Sequence, residues 1–166
     1  MPTMRKSSQV VCREPAPSFR DAVAGVHTVF EYTTETGLAA GDIIEMGAIP
    51  AGAIVAGVKL ACEDSDSNGT PTITLDVGVM SDNYLDAAAS GGGNRTIGAE
   101  FFSASNVAQA GGVAESTVLS GHMLQPKTND RSIGIKVNAG AATLTTGARW
   151  RLFVRMVPDP VNLAFG

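Results

Sequence analysis

Residues 51–80 read AGAIVAGVKLAC (51–62), EDSDSNGTP (63–71) and TITLDVGVM (72–80). The two flanks alternate with a period of two, the pattern of strands buried on one side. In the first flank Ile54, Ala56, Val58, Leu60 and Cys62 share a face. In the second, Ile73, Leu75, Val77 and Val79 share one face, and Thr72, Thr74 and Asp76 share the other. Glycines at 52, 57 and 78 and the β-branched content argue against helix. Asn68-Gly69 is a strong hairpin signal, because both residues tolerate positive φ. The expectation is an antiparallel pair joined by a tight turn.

Working outward, further strands are expected over Ala24–Thr33, Asp42–Pro50 and Arg131–Asn138. Strand character is weak at Thr117–Met123, and Thr143–Thr146 suits an edge. The clearest alternation lies in GARWRLFVRMVP (147–158). There Trp150, Leu152, Val154 and Met156 share one face, and Arg149, Arg151, Phe153 and Arg155 share the other. Short strands with turn signals between them predict a sandwich or barrel. No repeat of 20–50 residues and no helix–strand alternation is present.

The composition agrees. The chain has 166 residues, enough for one domain with a core. It carries 19 glycines, only 5% aromatic residues and 17% charged residues, which suits turn-rich β structure and not disorder. A net charge of −4 speaks against nucleic acid as a partner. The sequence has no apolar run long enough to span a membrane and no continuous apolar segment of a secretory signal, so no membrane partner is expected. Two cysteines, Cys12 and Cys62, make no disulfide framework, which points to synthesis in a reducing cytoplasm with free thiols.

Three regions are expected. Residues 1–22 form an extended N-terminal arm, locally basic through Arg5, Lys6, Arg13 and Arg20, with Pro15 and Pro17 favouring extended backbone. Such an arm is either a frayed terminus or a segment that orders against an acidic neighbour. Residues 23–158 form the β-sandwich, and 159–166 a short apolar tail. Within the sandwich, residues 81–116 form a long glycine- and alanine-rich excursion. Helical turns are expected there near Tyr84–Ser90 and Ser103–Ala110, the second stopped by Gly111. Phe101 and Phe102 would anchor the excursion to the core or to a neighbouring subunit.

Motifs that would carry catalysis are weak. Asp64-x-Asp66-x-Asn68-Gly69 matches the first half of a calcium-binding EF-hand loop. Counting from Asp64 puts Leu75 where the bidentate glutamate is required. A looser calcium site at Asp64 and Asp66 competes with a simple polar turn whose side chains bond their own backbone. His27 and His122 lack metal-ligand spacing, and Gly91-Gly92-Gly93 lacks the ending of a phosphate-binding loop. Neither a carboxylate dyad nor a cofactor motif stands out, so an enzyme is not expected. The arginine face of the last strand carries Phe153 among Arg149, Arg151 and Arg155, a composition typical of protein–protein contacts.

The stretch GLAAGDIIEMGAIPAGAIVAGVKLACEDSDSNGTPTITLDVGVM (37–80), with GAEFFSAS (98–105) and AQAGG (108–112), resembles small head proteins of tailed bacteriophages, among them capsid decoration (cement) proteins. The resemblance spans about residues 24–157. It implies an all-β, jelly-roll-like antiparallel sandwich, assembled as a homo-dimer or homo-trimer. It also implies a non-enzymatic protein on the exterior of the virion, with the major capsid protein as partner and no cofactor. A head–tail connector or tail component, and a jelly-roll carbohydrate-binding module, are the alternatives.

Overall fold

A computed structural model describes residues 3–7, 10, 25–87 and 93–159. Among these residues the strands are β1 (Met4–Lys6), β2 (Val26–Thr33), β3 (Ile43–Ile49), β4 (Ala53–Cys62), β5 (Thr74–Asn83), β6 (Phe102–Ser105), β7 (Gly112–Glu115), β8 (Arg131–Ala139) and β9 (Arg149–Pro158). One helical turn, α1 (Leu119–His122), lies between β7 and β8. The strands form two sheets, ordered β1-β3-β8-β5-β6 and β2-β9-β4-β7. From β2 to β9 the chain changes sheet at every connection except β5 to β6, which is the double Greek key of a jelly roll. The fold is the all-β, jelly-roll-like sandwich expected from the sequence.

The interior is built as the alternation predicts. On β9 Trp150, Leu152, Val154 and Met156 are buried and the intervening residues are exposed. They face Ile44, Met46, Leu75, Val77, Ile133 and Ile135 of the other sheet within one core. Burying a side chain of this size stabilises by about 1.5–3 kcal/mol before entropy is counted. Trp150 packs against Tyr32 with the rings tilted by 56° and 5.8 Å between centroids, and it donates its indole N–H to Ser65 Oγ at 2.8 Å. Gly47 makes room for a ring from the facing sheet: a Cβ there would lie 2.2 Å from Phe30 Cε1.

The opening stretch folds differently from the expected hairpin. β4 and β5 lie in different sheets and do not pair. Residues 63–73 carry the chain from one sheet to the other, and neither Asn68 nor Gly69 adopts positive φ. The cause is Asp66. Its buried carboxylate accepts backbone N–H bonds from Thr72 (2.7 Å), Ile73 (3.2 Å), Ala142 (2.9 Å) and Thr143 (2.8 Å), so the crossing is pinned to the β8–β9 connection. The face assignment of β4 holds for Val58, Leu60 and Cys62 but reverses before them. A β-bulge between Val55 and Gly57 turns Ala53 and Val55 inward in place of Ile54 and Ala56.

The excursion also differs. The expected helix at 103–110 is strand β6 followed by a turn, and residues 84–87 form a turn. Residues 88–90 of the other expected helix lie outside the described residues. Two strands, β6 and β7, thus come from within 81–116. Thr117–Met123 holds α1 instead of a strand, and the Thr143–Thr146 stretch makes one isolated bridge, Asp66 to Leu144.

The outer face of the β3-β8-β5 sheet is covered. Glu45, Gly134 and Gly78 lie in register across these strands. A Cβ on Gly134 would meet Ile97 Cδ1 at 3.0 Å, and one on Gly78 would meet Gly98 O at 2.3 Å. The missing side chains let residues 95–100 lie flush on the sheet. Arg95 completes the cover with a bond to Glu45 Oε1 at 2.6 Å, one to Ser132 Oγ at 2.9 Å and one to the Ser81 carbonyl at 2.8 Å. Ser132 Oγ in turn donates to Glu45 Oε1. Both members of the ion pair have side chains only 1% exposed.

Candidate interaction face

The β2-β9-β4-β7 sheet presents its other face outward, and strand register arranges that face in rows. Glu31, Arg151, Ala61 and Val113 form one row, and Val29, Phe153, Lys59 and Glu115 the next. His27, Arg155 and Gly57 form a third. Thr33 and Arg149 stand beyond the first row, with Glu63 hydrogen-bonded alongside.

Most of the charge on this face is neutralised internally. Arg149 donates from Nε (3.0 Å) and Nη2 (2.6 Å) to Glu63 Oε1, and its backbone N–H bonds Glu63 Oε2 at 2.8 Å. These bonds hold the Glu63 carboxyl below the usual range. Arg151 Nε donates to Glu31 Oε2 at 2.6 Å. Lys59 pairs with Glu115 at 2.8 Å, which lowers the Glu115 pKa. Arg155 is different: it is exposed and has no ion pair among the described residues.

Apolar side chains collect in the same place. Phe153 is 37% exposed, and its cross-strand neighbour Val29 is 45% exposed. Val113 on the edge strand β7 is 63% exposed. Together with Gly57, Arg155 and the two histidines they line an open groove of about 720 Å³. Over β4 it is lined by Ala56, Gly57, Val58, Lys59 and Ala61, so small residues flank the lysine of the Lys59–Glu115 pair. A Cβ added at Gly57 would meet nothing within 4 Å.

The other residues singled out from the sequence fall elsewhere. Arg5 is tied down: Nε donates to Asp42 Oδ2 at 3.2 Å and Nη1 to Glu35 Oε2 at 2.9 Å, while β1 runs parallel to β3. Burial opposes ionisation of Asp42, but backbone N–H groups of Thr3 and Ala39 and the Arg5 guanidinium outweigh it and lower the pKa. Lys6 is exposed, whereas Arg13 and Arg20 lie outside the described residues. Phe101 and Phe102 are core residues, so they anchor their segment inward and not to a neighbour. Asp64 accepts the Asp66 N–H at 3.1 Å, as a polar turn does, and Asp66 is occupied by its four backbone donors. Among the described residues no group of three or more His, Cys, Asp or Glu side chains is placed to hold a metal.

Sequence reasoning found Phe153 and Arg155 but missed the rest of the groove. Val29 carried a usable signal, since it is an apolar residue on the polar side of an alternating strand. His27 on β2 and His122 on α1 are brought to one groove by strand pairing within the sheet and by the packing of α1 against β4, which sequence spacing does not encode.

No protein-family model and no curated protein matches the chain. Solved structures do. A chain in the capsid of Ralstonia phage GP4 superposes with a TM-score of 0.85 and 36% identity, covering 94% of this chain and 98% of that one. This chain belongs to a family of phage capsid proteins. A second member of the comparison, a chain in the capsid asymmetric unit of cyanophage Pam1, is 29% identical at a TM-score of 0.63, covering 87% of this chain and 92% of that one. The shared length takes in the whole sandwich, so this phage capsid protein is matched by its entire fold and not by one motif.

Proposed function

We propose that this chain is a non-enzymatic virion protein that binds the outer surface of a phage capsid and stabilises it, as decoration (cement) proteins do. The observation that carries the reading is the near end-to-end match with a capsid chain by a sandwich that leaves one sheet face open, with Phe153, Val29 and Val113 exposed on it. A protein that binds only the assembled shell stabilises that shell by simple linkage, and repetition over a lattice multiplies weak contacts. The partners are the major capsid protein and further copies of this chain, as a homo-dimer or homo-trimer. Residues 1–22 act as an arm that adds β1 (Met4–Lys6) to the edge of one sheet, and 159–166 act as a tail, with 23–158 forming the rest of the sandwich. Lys6, Arg13, Arg20, Phe153 and Arg155 are the proposed contacts. The matches to capsid chains favour the head over a connector or tail role. A carbohydrate platform is less favoured, because Trp150 and Tyr32 are buried and, among the described residues, Phe153 is the one Phe, Tyr or Trp side chain lining the groove.

The test is addition of purified chain to capsids assembled without it. Saturable co-sedimentation, at a copy number commensurate with the shell subunit, together with higher resistance to heat or osmotic shock is expected. Absence of binding at micromolar concentration overturns the proposal.

A further inference from the structure

Asn68-Gly69 reads as a hairpin turn, yet neither residue adopts positive φ, and the strands on either side of it do not pair. The fold does not require a glycine at 69, since a Cβ there would meet nothing within 4 Å. Both residues are exposed on the crossing between the sheets. Among the described residues no acceptor takes the Gly69 N–H. Of the asparagines in the chain, Asn68 alone precedes a glycine. The dipeptide is thus left without an architectural role, and its chemistry is what distinguishes it.

The Asn68 carboxamide is held at both of its polar atoms. Oδ1 accepts the Thr70 N–H at 2.9 Å, which closes an Asx turn around Gly69. Nδ2 donates to Thr143 Oγ1 at 3.1 Å. The first bond polarises the side-chain carbonyl, and it sets a donor on the oxygen where negative charge develops when a nucleophile adds to Cγ. The second sets a hydroxyl beside the nitrogen that would depart. The nucleophile is the next atom group in the chain. The Gly69 backbone nitrogen is unbonded, and no side chain shields it. Asparagine is among the thermolabile residue types, and here its reactive group is exposed and oriented.

We infer that Asn68-Gly69 is a site of self-modification, at which the Gly69 nitrogen closes on the Asn68 side chain and ammonia is released. Hydroxide or water takes the Gly69 N–H proton, and the nitrogen bonds to Cγ. The Cγ–Nδ2 bond then breaks, and Nδ2 leaves as ammonia with a proton from solvent. Water opens the resulting five-membered succinimide at either carbonyl, which gives aspartate or isoaspartate at position 68. Water is the one co-reactant, and no electrons are exchanged. The product adds a negative charge to an already acidic segment, EDSDS (63–67), and loses the donor to Thr143. The isoaspartate form also lengthens, by one methylene, the loop that the Asp66–Thr72 bond closes.

The test incubates the full chain in mildly alkaline buffer and samples it over days by peptide mapping. Electron-transfer fragmentation separates aspartate from isoaspartate. Gly69→Ala is the comparison variant, because the site has room for the methyl group, and circular dichroism checks its fold. In the folded chain Asn68 is expected to convert several-fold faster than Asn83, Asn106 or Asn129, to a mixture of the two products. Gly69→Ala is expected to slow that conversion several-fold. An Asn68 that survives in the folded chain and converts only in urea overturns the inference, because the Asx turn then protects the side chain. Conversion no faster than at the other three asparagines overturns it as well. Equal rates in the native chain and Gly69→Ala, or aspartate as the sole product, overturn the cyclic route.

Discussion

Gly78 lies directly opposite Gly134 across the β5–β8 ladder, and the two form the slot on which residues 95–100 rest. A Cβ on Gly78 would stand 2.2 Å from Glu100 Oε2 and 2.3 Å from the Gly98 carbonyl oxygen. The carboxylate can swing away, but the backbone carbonyl cannot move alone. Gly78→Ala is therefore expected to destabilise by about 1–3 kcal/mol, the usual cost of overpacking. Gly57→Ala, with nothing within 4 Å, is expected to gain about 0.5 kcal/mol from reduced chain entropy. Urea denaturation of the two variants side by side checks the contrast. Equal effects would remove the case for a slot.

The Arg95–Glu45 pair holds the same segment from the other end. Removing one partner leaves a charge buried without its counter-ion. Arg95→Met is expected to cost about 3–5 kcal/mol. Replacing both, Arg95→Met with Glu45→Leu, is expected to recover most of that loss, because an apolar pair needs no desolvation of charge. Guanidinium denaturation of the single and double variants measures the coupling, and additive losses would contradict it.

Asp66 sets an acid limit to stability. Burial disfavours its charged form, but N–H donors from Thr143, Thr72, Ala142 and Ile73 prevail and hold the pKa down to about 2, against an ordinary 3.8. A carboxylate with a depressed folded pKa contributes stability above its unfolded pKa. That contribution is lost as pH falls from about 4 through 2, and it amounts to roughly 2 kcal/mol. Asp66→Asn should lower the melting temperature at pH 7 and flatten its dependence on pH between 4 and 2. Melting curves across that range provide the test.

Burial pushes the Cys62 thiol up to about 12. At pH 8 the thiolate fraction is then on the order of one in ten thousand, and reaction requires opening of the sandwich. Alkylation of Cys62 by iodoacetamide, followed by mass spectrometry, is expected only under denaturing conditions.

Much of the fold was legible in the sequence where alternation is strict. β9 displays its two faces residue by residue, and β2 and β8 follow the same rule. β3 is buried on both sides, and its run DIIEMGAI still reads as strand. The β4–β5 connection was misread for a physical reason. Asn68-Gly69 is a local signal, whereas the four bonds to Asp66 come from as far away as Thr143. β6 and β7 were hidden because four-residue strands among glycines and alanines leave no period to count. The Arg95–Glu45 pair spans 50 residues of chain and is invisible to any window. Of the interaction face, the sequence showed the β9 row but not its partition. Which arginines are matched by carboxylates depends on the register with β2 and β4.

The covering of one sheet by residues 95–100 has a further consequence. With that side closed and the opposite side open, the subunit has a front and a back. It is an object with a built-in direction, and any flat surface it adheres to through the open sheet receives it the same way up. A surface that held the open sheet would leave the loop on Gly78 and Gly134 turned away from the contact.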